Sequence, residues 1–254
     1  MTGGGPLTVV VPCAGHGTRL GVPFPKELLP VAAGRVLLDG VFELLAVHRD
    51  SVRVVLVVGA DRHATVAYVT GRYPDWPVAF VPQAPNTHEM LGAVRSALPW
   101  CHGRVLVLLP DQWLTAPPAD DPVTATMTVL ADAPACFLAA PETNPARIAV
   151  DGALRIERPG DGMDGPWRVM ALADKPGHGR TAGFNAVWFG VAFTMAAAAG
   201  AVEQMERAVA GDLTGRVWQD GPLAGCPVVL VPSFVDLGTW PALTAYWATA
   251  GQHR

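Results

Sequence analysis

The chain has 254 residues, half of them hydrophobic, and a formal net charge of -4. A chain of this length and apolar content can bury a large core. Its acidic balance and lack of any basic run exclude a nucleic-acid scaffold, although a free nucleotide needs only a local basic patch. Cys13, Cys101, Cys136 and Cys226 are scattered, with no Cys-x-x-Cys pair, and the histidines lack metal-ligand spacing. Neither a disulfide framework nor a zinc site is expected. Met1–Pro6 carries no basic region followed by a long apolar run, and no apolar stretch is long enough to span a bilayer. The expectation is a cytoplasmic protein with no nucleic-acid and no membrane partner.

Leu7–Pro12 reads as a strand, and Leu37–Arg49 places apolar residues at helical spacing. Val52–Val58 is mostly β-branched and bounded by Gly59, which predicts a buried strand. Asp61 is placed to cap a helix through Tyr68. Val78–Val81 is a short strand, Glu89–Leu98 a helix ended by Pro99, and Arg104–Leu109 a buried strand stopped by Pro110. This alternation predicts a parallel sheet with helices on both faces. Further on, Arg147–Arg158 alternates around Asp151-Gly152, a hairpin turn signal. Trp167–Ala173, Asn185–Phe193 and Val228–Val231 are strand candidates, and Thr194–Ala210 and Pro241–Ala250 are helices. Pro117–Pro122 and Pro159–Pro166 read as loops. With no repeats and no low-complexity linker, the spacing predicts one mixed α/β domain over 1–254.

The densest chemical signal is Val9-Val10-Val11-Pro12-Cys13-Ala14-Gly15-His16-Gly17-Thr18-Arg19-Leu20, followed by Pro25-Lys26-Glu27-Leu28-Leu29-Pro30-Val31. A strand-type run leads into a Gly-rich turn, where backbone N–H groups can approach a polyphosphate with no Cβ in the way. Arg19 and Lys26 can neutralise charge that grows on phosphoryl oxygens during transfer. A Walker loop is excluded because no Lys-Ser or Lys-Thr pair follows. A dinucleotide fingerprint is excluded because Leu20 stands at its third glycine.

The double motif Gly-x-Gly-Thr-Arg-Leu and Pro-Lys-x-Leu-Leu-Pro-Val resembles the sugar-1-phosphate nucleotidyltransferase family. That resemblance implies a Rossmann-like three-layer α/β sandwich with a mixed, mostly parallel sheet, of the nucleotide-diphospho-sugar transferase (GT-A-like) type. Residues 7–115 would be the nucleotide-binding half and 116–254 the sugar-phosphate-binding half. It also implies that a sugar 1-phosphate attacks the α-phosphorus of an NTP and pyrophosphate leaves. Ala14, Gly15, Gly17 and Thr18 would cradle the nucleotide, with Arg19 and Lys26 catalytic.

Asp111 stands where a buried strand ends, a position suited to a hard Mg²⁺ that takes one or two carboxylates plus phosphates. Its surroundings depart from the family's Gly-Asp-Asn, but the Asp matches. Val235-Asp236-Leu237-Gly238-Thr239 resembles the late Asp-x-Gly-Thr motif and supplies a second metal ligand, Asp236. Asp174-Lys175-Pro176 resembles Glu-Lys-Pro, where the acid meets sugar hydroxyls and the Lys the sugar phosphate. Asn185-Ala186 and Asn144–Ala149 echo sugar-contacting segments, with Asn185 and Ala149 as the contact positions. Val187 and Ala149 replace family glycines, and Asp174 is one methylene shorter than the usual acid. Gln83 stands where the family reads the base, favouring dTTP or UTP. Glu89 keeps GTP open, since a carboxylate can accept from guanine or serve as an N-terminal helix charge. Two rivals remain: a cytidylyltransferase for a non-sugar phosphate or phosphonate, and a catalytically silent nucleotide-sugar-binding regulator. A homo-oligomer remains open.

Overall fold

A computed structural model describes residues 6–15, 17, 20–85, 89–115, 118, 120–158, 165–211 and 220–250, with the side chains of Glu89 and Ala250 left aside. In chain order its first elements are β1 (Leu7–Cys13), β2 (Pro30–Ala32), β3 (Arg35–Val36), α1 (Asp39–Leu44), β4 (Val52–Val58), α2 (His63–Arg72), β5 (Val78–Pro82), α3 (Glu89–Ala97), β6 (Arg104–Leu108) and β7 (Gln112–Leu114). There follow α4 (Pro122–Asp132), β8 (Ala135–Pro141), α5 (Pro145–Ile148), β9 (Gly152–Glu157), β10 (Arg168–Asp174), β11 (Ala186–Thr194), α6 (Ala198–Ala210), β12 (Val228–Leu230), β13 (Phe234–Asp236) and α7 (Trp240–Ala250). The architecture is mixed, mostly parallel α/β, the class the alternation predicts. Among the described residues no helix is long and apolar enough to cross a membrane.

The chain divides into two compact units. One comprises Pro6–Cys101, Val107–Thr115 and Phe234–Arg254. In it β1 pairs β4, and β4 pairs β5, both parallel. Every residue of β1 is buried, and β4 is buried except at Arg53. Such continuous Val-rich runs belong to strands covered on both faces. A second, smaller core joins Leu29, Val31, Leu37, Trp113, Leu237 and Leu243. The Trp113 indole N–H donates to the Leu37 carbonyl at 2.8 Å. Its ring lies so close to Gly40 that a Cβ there would stand 2.5 Å from it. That small core holds β7 and β13 together as an antiparallel pair.

The other unit comprises His102–Leu106 and the described residues of Ala116–Ser233. Here β9 pairs β10 and β11 antiparallel, β8 pairs β11 antiparallel, and β12 pairs β8 parallel. α4 packs on β8, and α6 on β10 and β11.

Several expectations fail for local reasons. The hairpin at Asp151-Gly152 does not form, because Asn144 caps α5 by accepting the Ala146 N–H and Pro145 stands at its first turn. The alternation of Arg147–Arg158 therefore holds only for β9. Leu37–Arg49 is a shorter helix, α1, continued by a 3₁₀ turn at Ala46–His48. Asp61 does not cap α2; its carboxylate binds the Arg62 guanidinium at 2.7 Å instead. Asp121-Pro122 starts α4 in the way Asn144-Pro145 starts α5, and both α4 and β8 are absent from the sequence reading.

Candidate active site

β1 delivers the chain to Ala14 and Gly15. Gly17 has a φ of +62°, the left-handed region that favours glycine, and its carbonyl accepts the N–H groups of Leu20 and Gly21. A Cβ on Gly17 would sit 3.2 Å from Lys26 Cβ, and one on Gly15 4.0 Å from Lys26 Cε. The lysine stem thus runs along the glycine turn. Thr18 and Arg19 lie outside the described residues, so the turn and Lys26 stand without them.

Lys26 Nζ donates to Asp111 Oδ2 at 2.7 Å, with side-chain exposures of 19% and 6%. The Asp111 carbonyl accepts the Leu237 N–H at 2.7 Å, and β7–β13 pairing sets Asp236 opposite Gln112. Two carboxylates 125 positions apart in the chain are therefore carried on adjoining backbone. Asp236 Oδ1 accepts the Gly238 N–H at 2.7 Å, the local turn that precedes α7. The Trp240 indole, at the start of α7, donates to the Leu20 carbonyl at 2.8 Å and so ties α7 to the glycine turn. Carboxylates of this kind are the donors a hard divalent cation takes, although here Asp111 Oδ2 is engaged by Lys26 and Asp236 Oδ1 by the Gly238 N–H. Among the described residues no group of three or more His, Cys, Asp or Glu is placed to hold a metal ion by itself.

Sequence reasoning missed what lies beneath. Glu27, next to Lys26, is fully buried; its Oε1 accepts the Thr65 hydroxyl at 2.7 Å, and Arg62 Nε stands 3.7 Å away. Its Oε2 is buried without a hydrogen-bond partner. Burial pushes this carboxyl above the usual range, against the pull of Thr65, Arg62 and Lys26. Cys13 lies close by, and burial, followed by Glu27, drives its thiol well above the usual range.

Gln83 follows β5, and its N–H donates to the Val58 carbonyl at 2.9 Å. The next N–H, of Ala84, is held by Ser96 Oγ, which in turn donates to Gly92 in α3. Glu89 opens α3.

The second unit gathers another group. The Lys175 N–H donates to the Asp151 carbonyl, and the Gly177 N–H to the Ala149 carbonyl. Lys175 and Ala149 thereby lie at one turn, and β9–β10 pairing sets Asp174 opposite Gly152. Lys175 has a φ of 49°, and no other non-glycine residue among those described has a positive φ. Such strain persists only where the surroundings enforce it. A cavity of about 200 Å³ opens here, with Asp174, Lys175, Pro176 and Arg180 on one side and the end of α6 on the other. Asn185 is differently engaged: its amide accepts from the Ile156 N–H and donates to the Ile156 carbonyl, extending β9 like a backbone unit.

Residues 9–156 match the model of the MobA-like NTP transferase domain family. A bifunctional protein GlmU of Alkalilimnicola ehrlichii is 37% identical over 114 residues, 44% of this chain and 23% of that protein. A 2-C-methyl-D-erythritol 4-phosphate cytidylyltransferase of Stenotrophomonas maltophilia is 43% identical over 55 residues, 22% of this chain and 23% of that protein. The aligned regions thus span under a quarter of each of these relatives. Among solved structures, the UDP-glucose pyrophosphorylase of Acinetobacter baumannii superposes with a TM-score of 0.72 at 15% identity, over 97% of this chain and 94% of that one. The fold is shared at that level.

Proposed function

The chain belongs to the MobA-like NTP transferase family, and from that premise we propose that it transfers a nucleotidyl group from an NTP to a sugar 1-phosphate or a sugar-like cyclitol phosphate. An acceptor phosphate oxygen bonds to the α-phosphorus, the bond from that phosphorus to the bridging oxygen breaks, and pyrophosphate leaves with the electron pair. The observation that carries the reading is the Lys26–Asp111 pair seated on the glycine turn, with Asp236 on adjoining backbone. Lys26, freed toward a bound phosphate, neutralises charge at the reacting phosphoryl group, and Arg19 grips the departing pyrophosphate. The glycine turn offers N–H groups to the triphosphate. Asp111 and Asp236 are the residues to hold a Mg²⁺, which when bound supplies further charge neutralisation on the triphosphate. Lys175 meets the acceptor phosphate and Asp174 its hydroxyls. Gln83 points to dTTP or UTP as the donor, with GTP the alternative through Glu89. No covalent intermediate is needed, so catalysis is positioning plus electrostatics.

A second reading, cytidylyl transfer to a non-sugar phosphate, is favoured by the 55-residue similarity to the cytidylyltransferase. One experiment separates them: pyrophosphate release with Mg²⁺, five NTPs, and a panel of sugar 1-phosphates and polyol phosphates. Turnover with a sugar 1-phosphate supports the first reading. Turnover confined to CTP and a non-sugar phosphate supports the second. Nucleotide binding without release of pyrophosphate from any pair refutes both and leaves a silent binding protein.

A further inference from the structure

Arg62 is 7% exposed and stands behind the glycine turn, at the entry to α2. Its Nη2 donates to the Gly15 carbonyl at 2.7 Å and its Nε to the Cys13 carbonyl at 3.3 Å. Its Nη1 donates to the Asp61 carboxylate at 2.7 Å, and its Nε lies 3.7 Å from Glu27 Oε1. Glu27 belongs to the same 3₁₀ turn, Lys26–Leu28, that carries Lys26. One guanidinium thus joins the glycine turn to the lysine turn.

The direction of these bonds matters more than their number. Carbonyl oxygens aimed at a triphosphate would repel it. A trans peptide sets its N–H opposite its carbonyl, so the Cys13 carbonyl fixed on Arg62 turns the Ala14 N–H away from Arg62. The planar fork of an arginine can hold two carbonyls and face a carboxylate at once, which a point-charge ammonium cannot.

We propose that Arg62 is the positioning residue of the triphosphate site: it holds the Cys13 and Gly15 carbonyls away from the phosphates and, through Glu27, fixes the turn that presents Lys26. Arg62 touches neither substrate. The inference rests on the nucleotidyltransferase reading. It assigns Arg62 a role in turnover and NTP affinity rather than in stability alone.

The test compares Arg62→Met, Arg62→Lys and the double variant Arg62→Met/Glu27→Gln in the full chain. Melting temperature, NTP affinity by calorimetry, kcat and acceptor KM are measured for each. Arg62→Met should lose roughly 10²-fold in kcat, the scale of a small misplacement at the chemistry. NTP affinity should fall and acceptor KM stay unchanged. Arg62→Lys keeps a cation by Glu27, and the double variant removes both charges. Both should regain most of the melting temperature and neither should regain kcat. A kcat that recovers in step with stability, or NTP affinity unchanged in a folded Arg62→Lys, overturns the proposal. If Arg62→Met does not fold, the lysine and double variants decide alone. A wild-type protein that binds NTP but releases no pyrophosphate refutes the reaction instead, and the affinity comparison still judges Arg62.

Discussion

Replacing Lys26 with methionine isolates one charge. The methionine keeps an unbranched apolar stem against Gly17 and deletes only the ammonium that donates to Asp111 at 2.7 Å. Asp111 then keeps a side chain only 6% exposed without that cation. A charge-assisted hydrogen bond contributes about 1.5–3 kcal/mol. Breaking a fully buried pair by removing one partner costs about 3–5 kcal/mol. Lys26 is 19% exposed, so water reaches one end of the pair, and the expected loss sits where the two ranges meet, about 3 kcal/mol. For a chain of this length that lowers the melting temperature by roughly 6–12 °C.

The assay is a thermal melt in EDTA, repeated in saturating Mg²⁺. A cation that binds only the folded protein at a hundredfold excess over Kd stabilises by about 2.7 kcal/mol. It should stabilise Lys26→Met more than wild type, because it meets a carboxylate whose lysine is gone. A melting temperature within about 2 °C of wild type in EDTA would show that the pair carries no stability. Equal Mg²⁺ effects on the two proteins would refute metal placement at Asp111.

Asp111→Asn and Asp236→Asn should each remove most pyrophosphate formation while the fold survives in circular dichroism; full activity in either refutes the metal pair. Arg19→Ala should slow turnover roughly 10²–10³-fold, the effect of losing one preorganised contact, and a rate close to wild type would make Arg19 a surface cation. For the base, NTP competition should show Gln83→Ala weakening dTTP or UTP use and Glu89→Gln leaving it intact; selective damage to GTP use by Glu89→Gln reverses the assignment. Glu27 gives a pH signature. Its folded carboxyl lies above 4.5, chiefly through burial, so its contribution to stability is complete at low pH and is lost as pH rises through the raised value. Glu27→Gln should flatten that decline in urea midpoints measured across pH, and a curve parallel to wild type refutes it.

The parts of this molecule that local chemistry specifies were legible in its sequence. β1 shows as a β-branched run, and the glycine turn shows because Gly17 needs a positive φ. Asp111 and Asp236 show as carboxylates beside strand ends. What joins them does not show: β7 and β13 are three residues each and pair only because a small core beneath them closes. Arg62 was illegible for the same reason. It reads as a helix-entry residue, and its carbonyl partners lie 47 and 49 positions earlier. α5 is a different failure. Asn144-Pro145 is an N-terminal helix signal, and alternation around Asp151-Gly152 outweighed it.

The glycine replacements near the Lys175 turn also change meaning in three dimensions. Val187 is fully buried in β11, opposite Ala140 on β8 and Ala153 on β9. Ala149 is 3% exposed, and its N–H and carbonyl are both bonded, to Pro145 and Gly177. Trp188 packs so closely on Gly152 that a Cβ there would stand 2.0 Å from its indole nitrogen. Neither Val187 nor Ala149 is among the residues that line the cavity beside Lys175. Within the proposed reading, acceptor choice therefore falls to groups that line the cavity: Asp174, Lys175 in its strained turn, and Arg180, whose Nε is anchored on the Pro176 carbonyl. A shortened acid beside two cations suits an acceptor that carries its anionic group close to its hydroxyls.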